Sequence, residues 1–483
     1  MSAPPIGAKA AFKEVIGTAS GKAAFVLLSI IVLMAIVVPI YAPYNVLKAW
    51  HDKTETGPWA DYPKCAAPVW TEWLVGKKLP RTIVLDEDDF RKYVYNITYP
   101  GQPPMKLIVL VAYFDYRYDE FPNYLNAFKL RIEIKANQTV SLTVKLLRPD
   151  KRVINLTDTV VTPESPTLRI YDTDDEVKTV SEKYVKYLAE KNNWNLTALG
   201  FVNMPYAIFF AKEGPSMLNP KTAEVLKGTY AIYITVRVFY DLTADATAKF
   251  VLYGRVHGLA GTDIWRRDLL IGLLWGAPVA LAFGIIASVV VSLIQTFLGV
   301  ISGYFGGKVD EAIQRVAELF MIIPVLPILI LVAIIYGMTI WKLLALIVVF
   351  SIVGSMTKTV RSMVPSIKAE QYVLAAQSYG AGSWRIIFKH VFPRVLPYMF
   401  ANIALAVPAY IFTEAALSFL GLGDPMLPTW GKILGEAEMA QAAYYGYWWW
   451  IILPAACIGI TATAFALLGY AFDKVVNPRL REL

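Results

Sequence analysis

Residues 363–397 read MVPSIKAEQYVLAAQSYGAGSWRIIFKHVFPRVLP, a polar, basic segment punctuated by Gly and Pro and set between two strongly apolar stretches. Its Lys, Arg, Gln and Glu side chains are costly in hydrocarbon, so the segment has to lie outside the lipid. It is nonetheless too regular for a slack connection. Ile367, Tyr372, Val373, Ala376 and Tyr379 recur at roughly helical spacing, which predicts a helix over 366–379. Gly380 supplies a stop, because glycine tolerates the left-handed backbone that ends helices. Ser383 is placed to cap a second short helix over 384–391, which Pro393 would end. Two short helices joined at a glycine form an element that another protein can grip, with small residues allowing close approach. An amphipathic helix lying on lipid would show a similar pattern.

Working outward, 56% of the 483 residues are hydrophobic and only 17% are charged. A bilayer crossing needs about 20 apolar residues. Six stretches qualify, at 23–41, 276–304, 319–338, 343–357, 398–420 and 449–472, predicting an α-helical integral membrane protein with six transmembrane helices. The first is read as a retained span, since its apolar run is long and no small-residue cleavage site follows. An even number of spans puts both termini on one side. That side carries Lys9, Lys13, Lys22, Lys308, Arg315, Lys358, Arg361, Lys368, Arg385, Lys389, Arg394, Lys474, Arg479 and Arg481, whereas the short loops opposite carry only Lys342 and Lys432. The positive-inside bias makes the termini and the 363–397 loop cytoplasmic, in a multi-pass protein of the cell membrane. The net charge of +8 is then mostly topology. No basic stripe with interleaved aromatics points to nucleic acid.

Residues 43–268 lie between the first two spans and are therefore expected outside the cell. They hold 30 Lys and Arg against 27 Asp and Glu, far too polar for lipid. Alternation runs through 128–135 (FKLRIEIK), 139–146 (TVSLTVKL), 229–240 (TYAIYITVRVFY) and 247–254, separated by turn residues. These are strands of a sandwich or barrel, with one helical excursion over 176–192. Four N-x-Thr sequons, at Asn96, Asn137, Asn155 and Asn195, are candidate glycosylation sites. Cys65 and Cys457 fall in the insertion and the last span, so no disulfide staples this domain. His51 and His257 stand alone, and the acidic runs 86–89 and 172–176 lack the spacing of a calcium loop, so no metal site is expected and the runs read as solvated turns.

The 363–397 segment resembles the EAA signature of ABC-importer permeases, in particular those of the dipeptide/oligopeptide family. The matching residues are Tyr372, Val373, Leu374, Ala375 and Ala376, then Gly380 and Ala381, then Arg385 to Phe388, His390, Pro393, Leu396 and Pro397. Leu374 stands where the named motif has its glutamate. Two further strings agree: Gly261-Thr262-Asp263 with Arg267-Asp268, where Arg266 replaces the usual glycine, and Gly303 to Gly307 with Asp310-Glu311 at a tight turn. Asp263 is expected to cap a short helix at the outer surface. The resemblance extends over 261–480 and the first span and leaves most of the insertion uncovered, so three parts are expected: 1–42 with the first span, 43–260 as the extracellular β-rich insertion, and 261–483 as the permease core. It implies that Gln371, Tyr372, Val373, Leu374, Ala375, Ala376, Tyr379, Gly380 and Ala381 form a coupling helix docked on an ATPase subunit. It further implies a second permease subunit, two ABC ATPase subunits and an external binding protein, with short peptides or oligosaccharides as cargo.

Glu414 stands out within the fifth span, in FTEAALSFLGLGDP, which matches the family's E-A-x-L-S-F-L-G-L-G string. An acid at membrane depth faces protein or a water-filled path, so it is a candidate for lining or gating the path, or for a structural hydrogen bond. Trp448, Trp449 and Trp450 read as an interfacial belt. No GxxxxGK[ST] string occurs, so ATP and Mg would belong to separate ATPase subunits and this chain would need no cofactor. No nucleophile–base constellation suggests an enzyme. A membrane-anchored surface receptor or adhesion protein using the β-rich domain is the rival reading, for which six spans would be surplus.

Overall fold

The chain divides into two units, Met1–His51 with Ile271–Leu483, and Asp52–Leu270. The computed structural model describes residues 14–54, 56–98, 103–194, 204–218 and 222–476. Asn195, the charges at Lys9, Lys13, Arg479 and Arg481, and residues 477–483 lie outside that set. Helix α1, Ala19–Tyr41, is capped by Thr18, whose hydroxyl accepts from Gly21 N at 3.0 Å. Pro43 then turns the chain into the short α2, Tyr44–Ala49.

The Asp52–Leu270 unit holds α3 (Thr71–Val75), β1 (Ile83–Leu85), β2 (Arg91–Ile97), β3 (Met105–Tyr116), β4 (Phe128–Lys135), β5 (Val140–Leu147), β6 (Val153–Val161), β7 (Thr167–Tyr171), α4 (Asp175–Asn192), α5 (Pro205–Phe210), β8 (Gly228–Phe239) and β9 (Asp245–Leu252). The strands form two antiparallel sheets, β1-β9-β4-β7 and β2-β3-β8-β5-β6. Alternation sets the faces: Leu130, Ile132 and Ile134 of β4 point inward with Ile232, Ile234 and Val236 of β8, and all six belong to one core cluster. That shared core makes the unit a sandwich. The four alternating runs fall on β4, β5, β8 and β9, with ends within two residues. Helix α4 buries Val177, Val185 and Leu188 and stops at Asn193, which adopts φ +53°. Two shorter helices, α3 and α5, join it, so the helical content exceeds the single excursion expected.

Two acids in this unit depart from expectation. Asp172 is buried rather than solvated, and its carboxylate accepts from Phe128 N of β4 at 3.4 Å. Asp263 caps a tight turn and no helix: its Oδ1 accepts from Trp265 N and Arg267 N, each at 2.9 Å, and its Oδ2 from Arg267 Nε at 2.5 Å. Arg266 sits at φ +70° in that turn, which explains why glycine is usual there.

The other unit continues with α6 (Leu269–Phe305), α7 (Gly307–Ile322), α8 (Val325–Tyr336), α9 (Ile340–Phe350), α10 (Ser355–Lys368), α11 (Gln371–Ser378), α12 (Ser383–Ile386), α13 (Phe392–Phe419), α14 (Trp430–Met439), α15 (Ala442–Tyr445) and α16 (Trp448–Val476). Among the described residues four continuous helical stretches are long and apolar enough to cross a membrane: α1, α6, Ser383–Phe419 and Trp448–Lys474. Two bent pairs, α7 with α8 at 70° and α9 with α10 at 44°, bring the number to six if each pair is one span. The 70° bend falls at Pro324, which closes the way for a straight helix.

Four sequence expectations are corrected here. The helix foreseen over 366–379 is two, α10 and α11, broken where Glu370 takes extended angles of φ −67° and ψ 140°. Gly382 rather than Ser383 is the N-cap of α12. Pro393 does not end the next helix: a π turn over Ile387–Val391 absorbs its missing donor, and the axis continues to Phe419. Of the three tryptophans, only Trp448 is exposed; Trp449 and Trp450 are buried, since successive helical residues point about 100° apart and cannot form one exposed belt.

Candidate functional site

The 363–397 segment is built on α10, and α10 lies hard against α6. A Cβ on Gly299 would fall 2.7 Å from Thr357 O, and one on Gly303 2.7 Å from Arg361 O. These two glycines, one helical turn apart, bring the backbones to a distance no larger side chain permits. At the end of α10, Lys368 Nζ donates to Tyr304 O at 3.1 Å. Helix α11 follows after the Ala369–Glu370 break.

Val373 fixes α11 from inside. It is fully buried in a cluster with Val360, Val364, Ile386, Ile387, Val391 and Val395. It therefore holds α11 to its own chain and is not a free anchor. Gln371, Tyr372, Leu374 and Ala375 are exposed, Ala376 and Ala381 are half-buried, and Tyr379 is 92% exposed. Arg394 Nε donates to the Tyr372 hydroxyl at 3.2 Å, which steadies one exposed ring. Gly380 ends the helix at φ +78°, with Ala381 N donating to Ala376 O at 3.0 Å. Nothing lies within 4 Å of where its Cβ would be, so backbone conformation alone accounts for this glycine within the chain. All nine residues singled out in this stretch thus sit on one short helix and its exit.

Sequence reasoning noticed Asp310 only as part of a turn. The structure makes it the meeting point of three helices. Ser302 Oγ of α6 donates to Asp310 Oδ1 at 2.5 Å, Arg361 Nε of α10 at 2.6 Å, and Gln314 of α7 donates to Ser302 Oγ at 3.0 Å. The available signal was the GxxxG spacing of Gly299 and Gly303, which predicts a helix lying on α6 but not which one.

Glu414 is buried in α13. Ser418 Oγ, one turn on, donates to its Oε1 at 2.6 Å. Thr429 is the N-cap of α14, accepting from Lys432 N at 3.3 Å. Both helices are pressed together, for a Cβ on Gly431 would lie 2.4 Å from Ala415 O and one on Gly435 2.4 Å from Phe419 O. Trp430 Nε1 donates to Leu273 O at 2.9 Å and adds α6 to the same knot. Beyond it, Asp424 Oδ2 accepts from Ile340 N at 3.0 Å at the head of α9.

The pattern of the family described as binding-protein-dependent transport system inner membrane component matches residues 295–482. Over 225 residues the chain is 35% identical to the oligopeptide transport system permease protein OppC of Bacillus subtilis, which spans 46% of this chain and 72% of that one. The chain belongs to this family of ABC peptide-importer permeases. The permease is also 34% identical over 223 residues to the dipeptide transport system permease protein DppC of Bacillus subtilis, covering 46% and 69% of the two chains. Against the glutathione transport system permease protein GsiD of Pectobacterium atrosepticum the identity is 32% over 225 residues, covering 46% and 73%. The matched residues 295–482 include α11, Glu414, Asp310 and Arg361, and exclude the whole Asp52–Leu270 unit. The permease is a multi-pass plasma-membrane transport component.

Proposed function

We propose that the permease forms one half of the translocation path of an ATP-driven importer. It works beside a second permease subunit, two ABC ATPase subunits and an external binding protein that delivers short peptides. In this reading each bent pair is one span, giving six, with both termini cytoplasmic and residues 43–268 extracellular. Oligosaccharides remain a second cargo class, to be separated by binding assays on the external protein. Glu414 acts at the α13–α14 knot, gating or bracing the path rather than choosing the cargo. ATP and Mg belong to the ATPase subunits, and this chain supplies a path and a lever.

The observation that carries the coupling role is α11 itself. Val373 clamps it from behind, while Leu374, Ala375 and Tyr379 stand exposed on a short helix. A large exposed aromatic beside a glycine stop is poor design for water and suits a helix received by a groove. Tyr379→Ala and Leu374→Arg test this in the reconstituted importer, since neither side chain supports the permease's own core. Loss of most of the transport-coupled ATP hydrolysis, at unchanged melting temperature, is the expected result. Full retention in both variants would remove the docking role.

A further inference from the structure

The Asp52–Leu270 unit carries an apolar patch that its own core does not use. Residues 70–78 read WTEWLVGKK. The single turn α3 leaves Trp73 85% exposed, with Leu74 and Val75 also exposed. Leu259, 66% exposed, extends the patch, because the Trp70 indole N–H donates to Leu259 O at 2.9 Å. This is a rigid platform and no loose loop. Ala67 N donates to Arg255 O and His257 N to Ala67 O, both at 2.8 Å, while Val69 N donates to Gly258 O at 2.9 Å. Gly76, at φ +68°, closes the turn by donating to Glu72 O at 2.9 Å. Apolar side chains held out on a fixed turn call for a covering surface.

Chain position and charge identify the cover. Gly261 O accepts from Leu269 N at 3.0 Å, and Leu269 is the first residue of α6. Two residues span at most about 7 Å, so Leu259 lies within roughly 12 Å of the start of that helix. Helix α6 is apolar from that first residue and has 37 residues, so at about 1.5 Å each it outspans a hydrocarbon core of about 30 Å. The second span begins near residue 276, seven residues or about 10 Å further along α6, so the patch is tethered within reach of the bilayer surface. Lys77 and Lys78 follow the apolar turn directly. Lys77 pairs with Glu120 at 2.6 Å, and Lys78 lies over the Tyr118 ring at 5.6 Å, both exposed. Trp with aliphatic side chains, flanked by exposed lysines, is the chemistry of the lipid–water interface: rings at headgroup depth and ammonium groups at the phosphates.

We propose that α3 is an interfacial anchor. Trp73, Leu74, Val75 and Leu259 enter the headgroup–acyl boundary of the bilayer that the chain itself spans, and Lys77 and Lys78 face its phosphates. The inserted unit is then held at the membrane by this contact as well as by its two chain connections.

The test uses the full chain in nanodiscs with a nitroxide on Trp73→Cys or Leu259→Cys, and on Glu190→Cys of α4 as an exposed reference. Wild-type protein labelled in parallel measures background at Cys65 and Cys457. Collisional relaxation by oxygen and by a water-soluble nickel chelate is compared. At positions 73 and 259 the oxygen-to-nickel ratio should exceed that at 190 by at least about threefold, and more in anionic than in zwitterionic lipid. A ratio equal to that at 190 places the patch in water and overturns the proposal. Shielding from both reagents would mean that a protein covers it, which overturns the lipid assignment equally. Neither result bears on the role of α11.

Discussion

Arg361 grips Asp310 with two nitrogens: Nε donates to Oδ1 at 2.6 Å and a terminal nitrogen donates to Oδ2. The pair joins α10 to α7, and Ser302 brings α6 to the same carboxylate. Helix α10 runs into α11 within three residues, so this ion pair, with Lys358–Glu318 at 3.5 Å, braces the bundle next to the proposed docking helix.

Arg361→Lys keeps the charge and loses the two-pronged geometry, while Asp310→Asn keeps the shape and loses the charge. Because Arg361 is nearly half exposed, each change should cost only about 1 kcal/mol of stability. Coupling should suffer more, with ATP hydrolysis continuing at a reduced ratio of peptide moved per ATP. Equal losses in hydrolysis and transport would show that the pair merely stabilises the fold.

Gly380 separates backbone strain from docking. Its φ of +78° predicts that Gly380→Asn is tolerated better than Gly380→Ala, and Gly380→Val worst, with Ala costing about 1 kcal/mol. Thermal denaturation in detergent orders the three. If all three retain wild-type stability yet uncouple transport, a groove closing on this position is the cause.

For Glu414, replacement by Gln keeps an acceptor for Ser418, so assembly and melting temperature should hold within about 1 kcal/mol. Glu414→Leu strands the Ser418 hydroxyl in a dry place and should cost about 1–3 kcal/mol. Transport in vesicles discriminates the roles: unchanged rates for Glu414→Gln would leave the carboxylate a brace, and a fall would assign work to its charge.

Asn96, Asn137 and Asn155 are exposed, the first and third on the outermost strands β2 and β6. Each is open to a glycan, and mass spectrometry of native peptides should find one at some of these sites. Three unmodified peptides would dismiss the glycoprotein reading.

What the sequence made legible follows periodicity and chain-local rules. The period of two in FKLRIEIK located β4 to the residue, and Gly380 announced the end of α11. Partnerships were hidden, because alternation reveals a face and never its opposite number. Asp310 and Arg361 lie 51 residues apart. The burial of Val373 depends on side chains brought back by α12 and the π turn, which local spacing does not report. Asp172 looked like a solvated acid because four of its neighbours to residue 176 are polar or acidic, yet Phe128 N, 44 residues earlier, takes it inside.

That burial has a pH signature. Desolvation raises the Asp172 carboxyl from 3.8 to about 6, against opposing backbone hydrogen bonds. A folded-state value above the unfolded one means that the folded unit keeps a proton the unfolded chain has released. Between about pH 4 and 6 stability therefore falls as pH rises, by on the order of 3 kcal/mol, and changes no further above that window. Asp268, also raised by burial to about 6, acts in the same direction. His257 opposes them: burial lowers its pKa, so stability is lost as pH falls below the unfolded value of 6.5. The wild-type profile blends these slopes, and Asp172→Asn isolates one. Relative to wild type, the variant's β-rich unit should gain on the order of 2–3 kcal/mol at pH 7.5 over its standing at pH 4.5. Hydrogen exchange of β4 amides in the full chain, corrected for intrinsic rates, reads the difference. A gap that stays constant across the two pH values would mean that Asp172 is ionised in the folded unit throughout.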